Sequence, residues 1–325
     1  MAIVNSSVVL PVNYSSEIFR GILGRSKALE LGRRLPDMVG KTTKLNVLEN
    51  LPIAYFVKNM STPDGAADEI KNKPVSELAW KGVDLVAEEI ACIVPVSINT
   101  LRDVENLVDI VPQITEQVQG AFAQVIDAAA FFGTNAPWSN YNGIVADATT
   151  ADATVSWDGE GGTSFYNAIS DAMEKVESSG FECDAILGAP SLRSAYRKTI
   201  TSLGVVAGDQ GEIGGLPRHT DYTGGFNTGS AFAIVGDFKQ LVYAFRQEME
   251  MTLLQEATIV DPTTGTARYH LAQQDMVAFR FTLRLGVALP NPITRVGGYK
   301  SGDVLKHSAK AYPFAIITKA AAGSN

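Results

Sequence analysis

A chain of 325 residues and 34.7 kDa, 46% hydrophobic, can bury the core of one large or two ordinary domains, and no run approaches the ~18 to 20 uninterrupted apolar residues that cross a bilayer. Two cysteines, Cys92 and Cys183, give no support to a disulfide framework or a four-ligand zinc site, and the residues after Met1 lack the pattern of a secretory leader, so synthesis in the cytoplasm is expected. The formal net charge of -8 is uneven: residues 1–44 carry Arg20, Arg25, Lys27, Arg33, Arg34, Lys41 and Lys44 against Glu17, Glu30 and Asp37, a net +4 that leaves -12 on the rest, a split suited to docking on a second copy or on an acidic partner such as nucleic acid, and equally to a solvated helix face.

Tyr14 to Leu35 reads as a helix with Ser15 or Ser16 as cap, an apolar stripe of Ile18, Ile22, Leu23, Leu29 and Leu31, and a stop at Pro36. Gly21, Gly24 and Gly32 each cost about 1 kcal/mol relative to alanine, so the segment needs a neighbouring surface. Thr42 to Lys58 is strand-like, Met60 to Pro74 is a polar interruption, and a return strand follows. From Glu89 to Ile98 the residues Ile90, Cys92, Val94, Val96 and Ile98 share a face, and Pro95 marks an edge strand or a bulge. Two arms of about 14 residues would reach on the order of 45 Å, too far to be covered by their own domain.

Asp109 to Gly133 predicts a helix on Ile114, Val118, Phe122, Val125, Ala129 and Phe132, roughly 33 Å long and able to act as the spine of a domain. Asn135 to Gly162 is turn-rich and reads as a connector. Ser164 to Ser179 predicts a helix on Ile169, Ala172, Met173 and Val176, Ala185 to Leu187 a short buried strand, and Pro190 opens another helix. The eight glycines between Gly204 and Gly229 predict an exposed, adaptable loop. Met249, Met251 and Leu253 begin a strand, Asp261 to Gly265 a turn, and Val277 to Leu289 an answering strand whose other face holds Arg280, Thr282 and Arg284, structural or between subunits.

Catalytic chemistry finds little purchase. Gly40-Lys41-Thr42 lacks the glycine that a phosphate loop needs five positions earlier, where Leu35 stands. His219, His270 and His307 have no partner at metal-ligand spacing. Cys183 lies between Glu182 and Asp184, which raise a thiol pKa. Glu88 and Glu89 are adjacent on a strand and face opposite ways, so they cannot share a proton. No catalytic, cofactor or metal residue is assigned. An α/β enzyme using Asp209, Glu212 and His219 is the reading from another class.

The order of parts resembles a tailed-bacteriophage major capsid protein of the Hong Kong 97 type. The resemblance rests on Leu78 to Gly82 leading through Ile98 into Asn106 to Gly133, on Gly143-Ile144, on Ala185 to Ser191, on Phe232 to Phe238 and on Ala311 to Ala315. It implies an α+β fold with an N-terminal arm over residues 1–44, an extended E-loop over 45–98, a peripheral domain with the spine helix over 99–140 and 246–290, and an axial domain over 141–245 and 291–325. It also implies hexamers and pentamers of an icosahedral shell around double-stranded DNA, assembled in the host cytoplasm, with no membrane and with scaffolding, portal and decoration proteins as partners. No long N-terminal extension of the kind that serves as a fused scaffold precedes the arm, which implies either a separate scaffold or an extension already removed, and the initial Met favours the separate scaffold. Contacts between subunits are expected at Arg20, Arg25, Arg33, Arg34, Lys58, Lys71, Lys73, Arg280 and Arg284. Some members join an E-loop lysine to a neighbour's asparagine, but no acceptor is assigned here and cross-linking is not expected. The alternative on the same fold is an encapsulin, a nanocompartment shell that packages a cargo enzyme.

Overall fold

The computed structural model describes residues 20–54, 56, 75–100, 110–159, 163–198, 212–213 and 215–320. The strands run in chain order β1 (Arg33–Arg34), β2 (Thr42–Pro52), β3 (Ala79–Val86), β4 (Glu88–Ser97), β5 (Thr154–Trp157), β6 (Ala185–Gly188), β7 (Glu212–Ile213), β8 (Leu216–Thr220), β9 (Ala233–Gly236), β10 (Val242–Leu254), β11 (Thr258–Val260), β12 (Ala267–His270), β13 (Met276–Ala288), β14 (Gly298–Ser301), β15 (Val304–His307) and β16 (Phe314–Lys319). They form a six-stranded sheet β5-β16-β9-β6-β8-β7, a four-stranded sheet β1-β10-β13-β4, a second four-stranded sheet β14-β15-β2-β3 and the hairpin β11-β12.

The long helix runs Ile110–Phe132 and stops where Gly133 turns to φ 68, a conformation that glycine adopts without the Cβ penalty. Of the expected stripe, Val118, Phe122 and Ala129 are buried, whereas Val125 is 49% exposed and Ile126 takes its place in the core. The spacing admits either residue, and the helix has rolled toward the isoleucine. Ser164 to Ser179 is realised as the helix Thr163–Ser178, ended where Gly180 adopts φ 81. One continuous apolar cluster joins Phe122, Ile126 and Phe131 of the long helix to Phe281, Leu283 and Leu285 of β13 and to Ile186, Ile234 and Phe314 of the six-stranded sheet.

Several expectations give way. The helix expected over Tyr14 to Leu35 is broken in its described part: residues 20–25 are helical, Ser26 is extended at φ -75, ψ 121, and a second short helix runs Lys27–Leu31 with the Ser26 side chain accepting from the Leu29 N–H. Serine competes for the backbone as a cap, which the apolar stripe does not reveal. The chain then leaves at Gly32 and Arg33–Arg34 pair in parallel with Val242 and Tyr243, so Pro36 ends nothing.

The expected connector Asn135 to Gly162 holds the helix Ile144–Thr150 and β5, parallel to β16, and it buries Trp138, Tyr141 and Trp157. Both elements are too short for periodicity to show. The glycine-rich stretch is only partly described: Leu216–Thr220 is β8, hydrogen-bonded in parallel to β6, rather than open, whereas 221–229, with Gly224 and Gly229 exposed, is loop as expected. β4 pairs with β13 instead of continuing the hairpin; it is the edge strand that Pro95 requires. The return arm of the hairpin is β3.

Candidate assembly surface

The hairpin β2-β3 is held at its base and bare along its outer part. Its register runs from Thr42↔Val86 to Asn50↔Ala79, and the 11 residues of β2 span about 36 Å. At the base Leu85 is fully buried, the Ala87 N–H donates to the Lys41 carbonyl at 2.8 Å, and Lys41 pairs with Glu88 at 3.0 Å. β15 flanks β2, and the Arg295 guanidinium donates to the Pro52 carbonyl at 3.2 Å. Outward, the apolar side chains lose their cover: Trp80 is 61% exposed, Val75 77% and Phe56 85%. Trp80 stands opposite Leu48, so the two share a face.

A second bare apolar element lies where the arm joins the hairpin. Val39 is 92% exposed beside a shallow groove of about 470 Å³ lined by Leu35, Met38, Val39, Leu45, Leu85 and Ala244 among others. Single exposed apolar residues are ordinary on a monomer, but a run of them on one projecting element is the pattern of a surface that a partner covers.

The basic residues singled out in the sequence are spread over several elements. Arg25 on the arm pairs with Glu116 of the long helix at 2.8 Å. Arg34 pairs with Asp37 at 3.0 Å and Glu248 at 3.5 Å and lies over the Phe245 ring at 5.2 Å, so it ties the arm to β10; the hydrogen bond to Asp37, against the pull of partial burial, holds its pKa above the usual guanidinium value. Arg20, Arg33 and Arg280 are exposed and Arg284 is half-buried, with its Nε buried and without a hydrogen-bond partner. Lys58, Lys71 and Lys73 lie outside the described residues.

The groups weighed for catalysis do not converge. His219 sits half-buried on β8, 3.9 Å from Glu30, and burial lowers its pKa; Asp209 lies outside the described residues, as does the side chain of Glu212. Burial first, then Glu177, Asp184 and Asp237, pushes the Cys183 thiol up to about 12, the direction its acidic flanks predict. Among the described residues no three His, Cys, Asp or Glu side chains form a possible metal site, and no helix is long and apolar enough to cross a membrane. Sequence reasoning missed Trp80, Val39 and a buried carboxylate, Asp127 on the long helix; an aromatic between Leu78 and Lys81 on a strand was the available signal for the first.

The family model described as the phage capsid family matches residues 6–293. The chain belongs to the phage capsid family. Among solved structures, a protein of Microbacterium phage Oxtober96 is 28% identical with a TM-score of 0.74, covering 98% of this chain and 94% of its own. One of Mycobacterium phage Adephagia is 26% identical at a TM-score of 0.74, with coverages of 91% and 90%. The capsid of a native GTA particle, 14% identical at a TM-score of 0.56 over 99% and 95% of the two chains, shares the fold. No curated protein matches. This capsid protein therefore has the Hong Kong 97-type fold and a structural role in the virion shell, and the encapsulin alternative is not favoured.

Proposed function

We propose that this chain is the major capsid protein of a tailed phage and that its copies close as hexamers and pentamers into an icosahedral shell around double-stranded DNA. The observation that carries the reading is the contrast between a closed core and a projecting hairpin whose apolar side chains, Trp80, Val75 and Phe56, are left bare in the single chain. Such residues are satisfied when a neighbouring copy covers them, and a heterologous contact repeated around an axis closes rings. The N-terminal arm over residues 1–44, the E-loop from residue 45, the peripheral domain built on the long helix with β10 and β13, and the axial domain built on the six-stranded sheet are the corresponding parts. The pairing of β4 with β13 supports ending the E-loop at Val86 and giving Glu88–Ser97 to the peripheral domain.

Arg20, Arg33 and Arg280, exposed in the single chain, are offered as contacts to acidic faces of neighbours, with Arg25, Arg34, Arg284, Lys58, Lys71 and Lys73 beside them. A scaffolding protein, a portal and a decoration protein are the expected partners, DNA contacts are non-specific, and assembly takes place in the host cytoplasm. Negative-stain electron microscopy of the purified chain at two salt concentrations, with size-exclusion mass beside it, tests the reading. Shells or capsomer rings are expected. A uniform monomer that never assembles, even with candidate scaffolds added, overturns it.

A further inference from the structure

The long helix carries one carboxylate with no exposure at all, and it bonds to the arm. Asp127 is 0% exposed. Its Oδ1 accepts from the Ser26 hydroxyl at 2.6 Å and the Ala28 N–H at 2.9 Å, and its Oδ2 from the Lys27 N–H at 3.1 Å. These donors sit at the break between residues 20–25 and the helix Lys27–Leu31, so Asp127 completes the cap that Ser26 begins and fixes the arm where it crosses the long helix. Ile22, Ala28 and Leu29 are buried in the same contact.

A second carboxylate enters from the opposite side. Asp221, just past β8 and 1% exposed, is held by its own N–H donating to the Gly188 carbonyl at 2.9 Å. Its Oδ1 accepts from the Thr223 N–H and hydroxyl, both at 2.7 Å, while its Oδ2 is buried without a partner. The Thr223 hydroxyl is also 3.5 Å from Asp127 Oδ2 and already accepts the Gly225 N–H at 3.2 Å. One hydroxyl hydrogen thus stands between two carboxylates and can serve one of them at a time.

The charges nearby are spent elsewhere. On the arm, Arg25 pairs with Glu116 of the long helix and Lys27 with Glu30; on β8, His219 faces Glu30. Among the described residues no cation pairs with either buried acid. A buried carboxylate with no cation beside it is costly to keep ionised, more so with a second buried acid behind Thr223, and a proton on Asp127 removes that charge. We propose that Asp127, bonded to the arm and backed across Thr223 by Asp221, carries a proton while the arm is seated on the long helix, so that the arm loosens as pH rises.

Burial, with the Asp221 charge adding to it and the Ser26, Ala28 and Lys27 donors opposing, pushes Asp127 up to about 7 from an ordinary 3.8. When the arm lifts, the carboxyl meets water and returns toward its ordinary value. The clasped state therefore binds the extra proton: its advantage is complete below pH ~4 and is lost as pH rises through ~7. Linkage across these values gives a roughly 30-fold fall in arm protection between about pH 5.5 and about pH 8.

Amide hydrogen exchange of residues 20–32 in the full chain, corrected for the intrinsic effect of pH, reads this directly. In the wild type, protection is expected to fall by that factor and to level off just above neutrality, while peptides of β13 stay level. In Asp127→Asn the slope is expected to vanish. Asp221→Asn removes the neighbouring charge, and protection is expected to level off at a lower pH than in the wild type. A flat wild-type profile, a wild-type slope in Asp127→Asn, or, should that variant fail to fold, an unmoved levelling-off pH in Asp221→Asn overturns the clasp. None of these outcomes depends on whether the chain forms shells.

Discussion

Trp80→Ala separates the surface that folds the chain from the surface that joins it to another. Trp80 leaves 61% of its surface uncovered; for a residue of ~250 Å² that is about 150 Å², worth up to about 4 kcal/mol if a neighbour covers all of it and about 2 kcal/mol if half. Within the chain the covered remainder, about 100 Å², is worth up to about 2.5 kcal/mol on the same scale, part of it the cross-strand pairing with Leu48. The substitution should raise the concentration threshold for assembly at least ~30-fold, taking 1.4 kcal/mol as tenfold, and lower the stability of the unassembled chain by no more than about 2.5 kcal/mol. Light scattering against protein concentration gives the first quantity and urea unfolding monitored by circular dichroism the second. An unchanged threshold would refute the assignment of this face to assembly. A loss well above about 2.5 kcal/mol in the unassembled chain would show instead that Trp80 holds the hairpin to its own body.

Gly143→Ala should cost about 3 kcal/mol or more in urea unfolding, because Gly143 has φ 92 and its added Cβ would lie 2.3 Å from the Gly133 backbone nitrogen, a contact added to the ~1 to 2 kcal/mol penalty of a left-handed residue; a loss under about 1 kcal/mol would contradict the close approach. Phe281→Ala removes a fully buried ring from β13 and should cost about 3 to 5 kcal/mol in the same assay, where a loss near 1 kcal/mol would mean that the core can collapse onto the gap. Cys183, with its thiol pushed up to about 12, should resist alkylation at neutral pH in the folded chain and react on unfolding, as mass spectrometry of the labelled peptide would show; rapid labelling of the native chain would overturn that environment. Arg34→Ala breaks exposed pairs with Asp37 and Glu248 and a ring contact with Phe245, so it should cost no more than about 1 kcal/mol.

What the sequence disclosed follows the length of each repeating pattern. The helix Ile110–Phe132 and β13 repeat over 23 and 13 residues, enough for a period to stand clear of chance, and both are where the pattern puts them. β5 has four residues and the helix Ile144–Thr150 seven, too few to register, so the segment reads as connector although Trp157 is buried in it. The break at Ser26 was invisible for a different reason: the carboxylate that completes its cap is 101 positions away, and no local window contains it. The basic residues were easy to find and hard to place, since charge says that a side chain reaches solvent and not which neighbour it meets there. Trp80 was overlooked because a strand aromatic is more often core than surface.

The two halves of the fold answer to different demands. The long helix, β13 and the six-stranded sheet close one core within a single chain, so folding needs no neighbour. The β2-β3 hairpin has only a small cluster at its base, Met38, Leu85 and Ala87 with Val242, Ala244 and Ala288, and beyond it the faces are half-covered. Joining through bare sheet edges would be indiscriminate, because backbone groups pair with any strand. Here the edge strand β4 carries Pro95, which lacks a backbone N–H to donate, and the edge strand β3 carries exposed Lys81. Both are devices that discourage pairing by edge and leave recognition to side chains such as Trp80. A shell assembled from shape-matched side chains can reject misregistered copies, and a chain whose core is already closed can dissociate and try again without unfolding.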